Sequence, residues 1–381
     1  MKPVAVAVLS ALVVLGAISY VGVRAATRGG EFTTLIPRFD GQCQTVGGLP
    51  GAEDFAFDRA TGLLYIASDD RRAQQRGEPV RGAIHGLPFA SLETVSARVD
   101  LTGGVPAAFQ PHGVSLYVAP DGARTLFVVN HPQGRGGPAK SVVEIYDVGP
   151  DGALVHRRTA DLGAATRPND VLGVGRDAFY VTNESALAAG SASEALAMIL
   201  DSDRSGGIFY VDGSGARPVA SGFGFANSLA LSPDGATLYA TDTLGRRVMV
   251  YGRDAATGDL APRPAIFVGT GVDNLDVEPD GRIWIASHPK LFTFALGHAR
   301  ADNPTPAPSQ VIILEPDPSG QGGKGDQVLL STGQDFSAAS VAVRAGGRMI
   351  LGSVFEPGVR VCALPAVWKH SESAPLRSTV R

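Results

Sequence analysis

Phe109–Pro132, FQPHGVSLYVAPDGARTLFVVNHP, reads as one β-hairpin with a histidine near each end. Gly113 to Ala119 alternates as a half-buried strand, Pro120-Asp121-Gly122 is a turn signal, and Leu126 to Val129 is a short apolar strand. Antiparallel pairing would bring His112 and His131 to the same end of the hairpin. A lone buried histidine is ordinarily a hydrogen-bonded core residue. The pair gains chemical meaning only if other polar groups converge on it.

The second strand of this hairpin recurs along the chain as LLYIAS (63–68), TLFVVN (125–130), AFYVTN (178–183), TLYATD (237–242), RIWIAS (282–287) and RMILGS (348–353). The central positions Tyr65, Phe127, Tyr180, Tyr239, Trp284 and Ile350 are about 45 to 66 residues apart, the period of propeller blades with long loops. Each repeat has an earlier strand that opens with a comparable pair: Glu53-Asp54, Pro111-His112, Asn169-Asp170, Asn227-Ser228, Asp273-Asn274 and Ala339-Ser340. Innermost propeller strands surround a central channel, so these distant pairs are expected to meet at one axis. The predicted fold is all-β: a six-bladed β-propeller over 29–366, its N- and C-terminal strands closing one blade, with one short lid helix around Ser193–Leu200.

Composition agrees with many short strands joined by turns: 48 Gly, 26 Pro and 44% apolar residues in 381. A formal net charge of −4 with no basic block argues against nucleic acid as a partner and favours a small-molecule substrate. Residues 1–28 read as a signal peptide or an uncleaved signal-anchor, because the apolar run Val4–Val23 is long enough either for a leader or for a span, and small residues stand at Ala25 and Ala26. The globular part is therefore expected outside the cytoplasm, periplasmic or secreted, with membrane association through residues 4–23 if the leader is retained. In that compartment Cys43 and Cys362, the two cysteines of the chain, are expected to pair; the alternative is two unrelated buried thiols. Ala301–Gln310 and Pro318–Gln327 read as loops, and residues 367–381 as a loose polar tail.

Glu53, Asn169, Asn227, Asp273 and Asn274 offer oxygen and no sulfur, the donor set of a hard cation, and calcium accepts six to eight such ligands. Any one of these residues is more often a turn cap; five equivalent positions argue for a site. His112 opens the same ring and His131 ends the adjacent strand, so a general base beside the metal is chemically sensible. His288, in the position corresponding to His131, is expected to line the substrate pocket with Phe225. His85, His156, His298 and His370 read as surface residues. There is no Gly-x-Ser-x-Gly elbow or His-Glu-x-x-His helix, and GRGGPAKS (134–141) only imitates a phosphate loop and reads as a hairpin turn.

GAEDF (51–55), FQPHGV (109–114), VVNHP (128–132), PNDVLGVG (168–175), FANSLALSPDG (225–235) and VDNLDVEPDGRIWIASHP (272–289) together resemble the serum paraoxonase/arylesterase family. The resemblance implies a calcium-dependent six-bladed propeller that hydrolyses lactones and aryl esters, with organophosphate hydrolysis in some members. It implies two calcium ions: a catalytic one on Glu53, Asn169, Asn227, Asp273 and Asn274, and a structural one on Asp54, Asp170 and the carbonyl of Val114. His112 and His131 match the family's histidine dyad, with Glu53 or Asp273 as the alternative participant in water activation, and Cys43 and Cys362 match its disulfide. The chain departs from the family after AFYVTN, where Glu184-Ser185-Ala186 stands in place of an acidic residue, a histidine and an aromatic. A gluconolactonase-like sugar lactonase, expected to lack the histidine pair, and a non-catalytic calcium-stabilised propeller that binds a partner are the alternative readings.

Overall fold

The computed structural model describes residues 3–92, 99–101, 108–133, 139–299, 305–317 and 322–369. Six four-stranded antiparallel sheets follow one another around a ring. Blade 1 holds β2 (Ala52–Asp58), β3 (Leu63–Ser68), β4 (Ala83–Pro88) and β5 (Val99–Asp100); blade 2 holds β6 (Pro111–Val118), β7 (Arg124–Asn130), β8 (Val142–Val148) and β9 (Leu154–Ala160). Blade 3 is β10 (Pro168–Gly173), β11 (Phe179–Asn183), β12 (Gly206–Asp212) and β13 (Gly215–Phe223), and blade 4 is β14 (Ala226–Leu231), β15 (Thr237–Asp242), β16 (Arg247–Arg253) and β17 (Leu260–Phe267). Blade 5 is β18 (Gly271–Val277), β19 (Ile283–His288), β20 (Ser309–Pro316) and β21 (Gly323–Ser331). Blade 6 joins β22 (Ala339–Ala345), β23 (Arg348–Ser353) and β24 (Gly358–Ala363) to β1 (Cys43–Gly47) from the other end of the chain. The six recurring segments are the second strands, and the residue pairs before them open the innermost strands, as their spacing predicts.

Cys43 stands opposite Cys362 in the β1–β24 register, and the two form a disulfide across 319 residues of sequence. Apolar clusters fill the gaps between neighbouring blades. Phe55, Leu64, Val341 and Ile350 pack between blades 1 and 6, and Trp284, Val311, Met349 and Leu351 between blades 5 and 6. Each such side chain removed from water contributes about 1.5–3 kcal/mol, so the ring is held by blade-to-blade packing as well as by its covalent closure.

Every innermost strand breaks register near its start: β2 at Ala52/Asp54, β6 at Pro111/Val114, β10 at Pro168/Val171, β14 at Ala226/Leu229, β18 at Val272/Leu275 and β22 at Ala339/Val341. Regular pleating sends consecutive side chains to opposite faces, and a bulge re-aims them. This local irregularity lets adjacent residues such as Glu53 and Asp54, or Asp273 and Asn274, both be buried at the start of their strands.

The helix α1 (Pro3–Arg28) carries a 20-residue stretch, Leu9–Arg28, long and apolar enough to cross a membrane, and its apolar side chains from Leu9 onward are largely exposed. The expected lid helix is present as α3 (Ala192–Leu200), capped by Ser191, whose side chain accepts the N–H of Glu194. Three further helices depart from the expectation of one: α2 (Arg71–Gln75), α4 (Leu291–Ala299) and α5 (Ala366–Lys369). The sequence masks α4, because His288-Pro289-Lys290 supplies no ordinary N-cap side chain ahead of it.

Residues 323–327, expected in a loop, belong to β21, and Ser309 and Gln310 belong to β20. His85 and His156 are not simple surface residues: both are half-buried on strands, and His156 Nε2 lies 2.8 Å from Oε2 of buried Glu144. The expectations for His370, the side chain of His298, residues 134–138, 301–304 and 318–321 and the tail beyond 369 lie outside the described residues.

Candidate active site

The bulged strand starts bring Glu53, His112, Asn169, Asn227, Asp273 and Asn274 together from blades 1 to 5, all buried. The amide nitrogens are committed to neighbours. Asn169 Nδ2 donates to Glu184 Oε1 (2.8 Å), Asn227 Nδ2 to Asp273 Oδ1 (2.6 Å), and Asn274 Nδ2 to both the backbone oxygen and Oε1 of Glu53 (3.2 Å each). These contacts fix which end of each amide is nitrogen. The buried Oδ1 of Asn227 accepts no hydrogen bond among the described residues. Leaving such an oxygen dry and unmatched costs about 1–3 kcal/mol, a penalty that a bound cation would remove.

The carboxylates give a second reason for a cation. Burial raises the pKa of Asp54 well above the ordinary carboxylate range, and the negative charges of Asp170 and Glu53 raise it further. Asp170 is pushed up to about 7, chiefly by burial, with Glu53 adding to the rise. Asp273 is raised by burial too, although the hydrogen bond from His288 opposes that effect. Mutually repelling, desolvated carboxylates beside amide oxygens fit a hard divalent ion of the calcium type, and the absence of sulfur from the set agrees with that fit.

Asp54 and Asp170 also stitch blades together. Asp54 accepts the N–H of Phe55 and, across the blade boundary, that of Val114, both at 2.8 Å. Asp170 accepts Val171 N–H (2.7 Å) within its own blade and, from blade 4, the hydroxyl of Ser228 (2.9 Å) and the N–H of Leu229 (2.8 Å). Val114 therefore touches Asp54 through its amide. Gly113 lies so close to blade 3 that an added Cβ would come within 2.5 Å of Asp170 Cα and 2.6 Å of its Oδ1, so glycine alone leaves this packing undisturbed.

The histidines do meet. His112 Nδ1 lies 3.0 Å from His131 Nε2, His131 Nδ1 lies 2.7 Å from Ser141 Oγ, and His112 Nε2 lies 3.4 Å from Glu53 Oε2. Both rings are buried. The line therefore runs from a carboxylate at the axis outward to a hydroxyl on the loop before β8.

His288, expected in the pocket wall, is 1% exposed; its Nε2 is 2.7 Å from Asp273 Oδ2, and its ring stacks on Phe294 at 3.7 Å. Phe225 is half-buried two residues ahead of Asn227. Two contributors escaped the sequence reading. Ser141 sits in a stretch read as a turn, with nothing to single it out. Glu184 had one signal, an acidic residue directly after AFYVTN; it is 1% exposed and pairs through Oε2 with Arg167 at 3.0 Å.

A profile of the Arylesterase family matches residues 34–364. Serum paraoxonase/arylesterase 1 of Homo sapiens is 32% identical over 258 residues, covering 65% of this chain and 67% of that protein. Serum paraoxonase/arylesterase 1 of Rattus norvegicus is 30% identical over 343 residues, covering 86% of this chain and 91% of that protein. Among solved structures, a luciferin-regenerating enzyme aligns with a TM-score of 0.52 at 14% identity, covering 85% of this chain and 95% of its own. A gluconolactonase from Xanthomonas campestris aligns with a TM-score of 0.50 at 16% identity, covering 87% of this chain and 96% of its own. These two structural matches speak to the propeller fold alone. The chain belongs to the arylesterase family.

Proposed function

We propose that this member of the arylesterase family is a calcium-dependent hydrolase of lactones and aryl esters, with Glu53, Asn169, Asn227, Asp273 and Asn274 holding the catalytic ion and His112 and His131 activating water. The observation that carries the reading is the continuous line Glu53, His112, His131, Ser141, with contacts of 3.4, 3.0 and 2.7 Å, beside a buried ring of oxygen donors. Asp54, Asp170 and the carbonyl of Val114 are assigned to a second, structural calcium, and the repulsion between the two buried carboxylates supports that assignment.

Calcium, when bound, polarises the substrate carbonyl and offsets the negative charge that develops on its oxygen. The proton work belongs to the chain. If His131 donates Nδ1–H to Ser141 Oγ, its Nε2 is bare and accepts Nδ1–H from His112. His112 Nε2 is then the free base. It takes a proton from water as the hydroxide adds to the carbonyl carbon, and the imidazolium that forms is stabilised by Glu53. The same proton passes to the departing oxygen as the ester bond breaks, giving a hydroxy acid from a lactone, or an acid and a phenol from an aryl ester.

A sugar lactonase on a related propeller is expected to lack paired histidines, so the 3.0 Å contact favours the arylesterase-type reading. The apolar α1 and the disulfide fit an exported or anchored chain, and we assign the propeller to the periplasm or exterior. The decisive assay strips the protein with a chelator, restores calcium, and measures turnover of aliphatic lactones, an acylated homoserine lactone and phenyl acetate. Calcium-dependent turnover is expected. Absence of turnover on every class would overturn the enzyme reading in favour of a calcium-stabilised binding propeller.

A further inference from the structure

The first turn of a helix leaves backbone N–H groups without intrahelical partners, and a cation there opposes the helix dipole. In α4 the residue at the capping position is Lys290, which has no acceptor to offer and carries the wrong charge. The cap comes from far upstream. Glu31 Oε1 accepts the N–H groups of Phe292 (2.8 Å) and Thr293 (3.2 Å), and its Oε2 accepts the Thr293 hydroxyl (2.6 Å). The carbonyl of Gly29 takes the N–H of Leu291 at 2.9 Å. Gly30, at φ +78°, packs so tightly that a Cβ there would strike the carbonyl of Pro289, the neighbour of His288.

The capped turn carries Phe294, whose ring lies on His288 with centroids 3.7 Å apart and planes 12° from parallel. His288 Nδ1 is buried and has no hydrogen-bond partner among the described residues, so Nε2 on Asp273 and the Phe294 face define the ring's position. Asp273 in turn accepts Asn227 Nδ2 at its other oxygen.

We propose that Glu31 is a positioning residue for the donor ring: by capping α4 it holds Phe294 flat on His288, which fixes the carboxylate of Asp273. The inference rests on the reading of Asp273 as a calcium ligand. Its consequence is that Gly29, Gly30 and Glu31, which follow α1 directly, belong functionally to the site, although they lie outside every repeat.

The test measures calcium affinity of the full chain in detergent by competition with a fluorescent chelator, with the thermal midpoint in saturating calcium as a folding control. Phe294→Leu is expected to weaken calcium binding by about tenfold, the low end for groups that support metal ligands, and Phe294→Tyr, which keeps the stacked face, to stay near the parent. Glu31→Ala is expected to weaken binding several-fold with its midpoint within a few degrees of the parent, and Glu31→Ala/Phe294→Leu to be no weaker than Phe294→Leu alone, because both act through one contact. Parent-like affinity in Glu31→Ala, or multiplying effects in the double variant, would overturn the proposal. If Asp273→Asn is impaired while Glu31→Ala is not, the proposal alone falls. If Asp273→Asn binds calcium as the parent does, the ligand assignment falls with it.

Discussion

Asn169 Nδ2 donates to Glu184 Oε1 at 2.8 Å, and the other oxygen of Glu184 receives Arg167, which also reaches Glu194 on the lid helix at 2.7 Å. A carboxylate with an arginine on one side and an amide on the other orients that amide without competing for a metal. Glu184→Gln places an NH2 donor against Asn169 or against Arg167. Calcium affinity is expected to fall about 10- to 100-fold, as for other groups that orient metal ligands, and a chelator titration of the purified variant checks it.

The histidines are expected to act as a unit. His112→Gln and His131→Gln should each lower kcat about 10²- to 10⁴-fold, the usual contribution of a positioned acid–base group. The double variant should be little worse than either alone. Steady-state kinetics on one lactone at saturating calcium decides the matter. Calcium affinity in all three variants should stay near that of the parent; a large loss in His112→Gln would move that residue from the base to the metal support.

Removal of metal should invert the usual acid sensitivity. Burial and like charge raise the pKa values of Asp54, Asp170 and Asp273 above those of an unfolded chain, with Asp170 near 7. The folded, metal-free state then holds more protons than the unfolded state between about pH 4 and pH 7, so its stability falls as pH rises through that window. Denaturant unfolding in chelator is expected to show a declining midpoint from pH 4.5 to 7.5. Calcium at saturation should abolish or reverse the decline.

Cys43→Ser opens a loop of 319 residues. The chain-entropy relation gives a loss of up to about 5–6 kcal/mol, with β1, which no longer has a covalent tie to β24, the first strand expected to open. Guanidinium midpoints of the parent with and without reductant should differ in the same direction, and the variant should be insensitive to reductant.

The blade count, the order of the inner strands and the meeting of His112 with His131 were legible because each depends on a pattern repeated several times. A turn, an apolar strand and a polar residue recur with a period that only a ring explains. What stayed hidden depends on single contacts. Nothing in the local sequence of Ser141 distinguishes it from a turn serine, and its role comes from where the loop before β8 lies. His288 was placed correctly in its repeat, but its stack on Phe294 required a helix whose cap lies about 260 residues away in sequence. Val114 shows a finer limit: the family resemblance points to its carbonyl, whereas the hydrogen bond from its amide to Asp54 is visible only in the folded chain.

Blade 6 has a history that its final geometry conceals. Its outermost strand, β1, leaves the ribosome before any other strand of the ring, and the strand it must pair with, β24, leaves last. At ordinary synthesis rates of about 5–20 residues per second, the intervening 319 residues take on the order of tens of seconds. Throughout that interval the strand that β1 pairs with in the finished ring, and the cysteine that Cys43 bonds, have not been made. Closure of the ring therefore waits for the end of the chain: Cys43 can meet Cys362 only after the sequence of the other five blades has been synthesised.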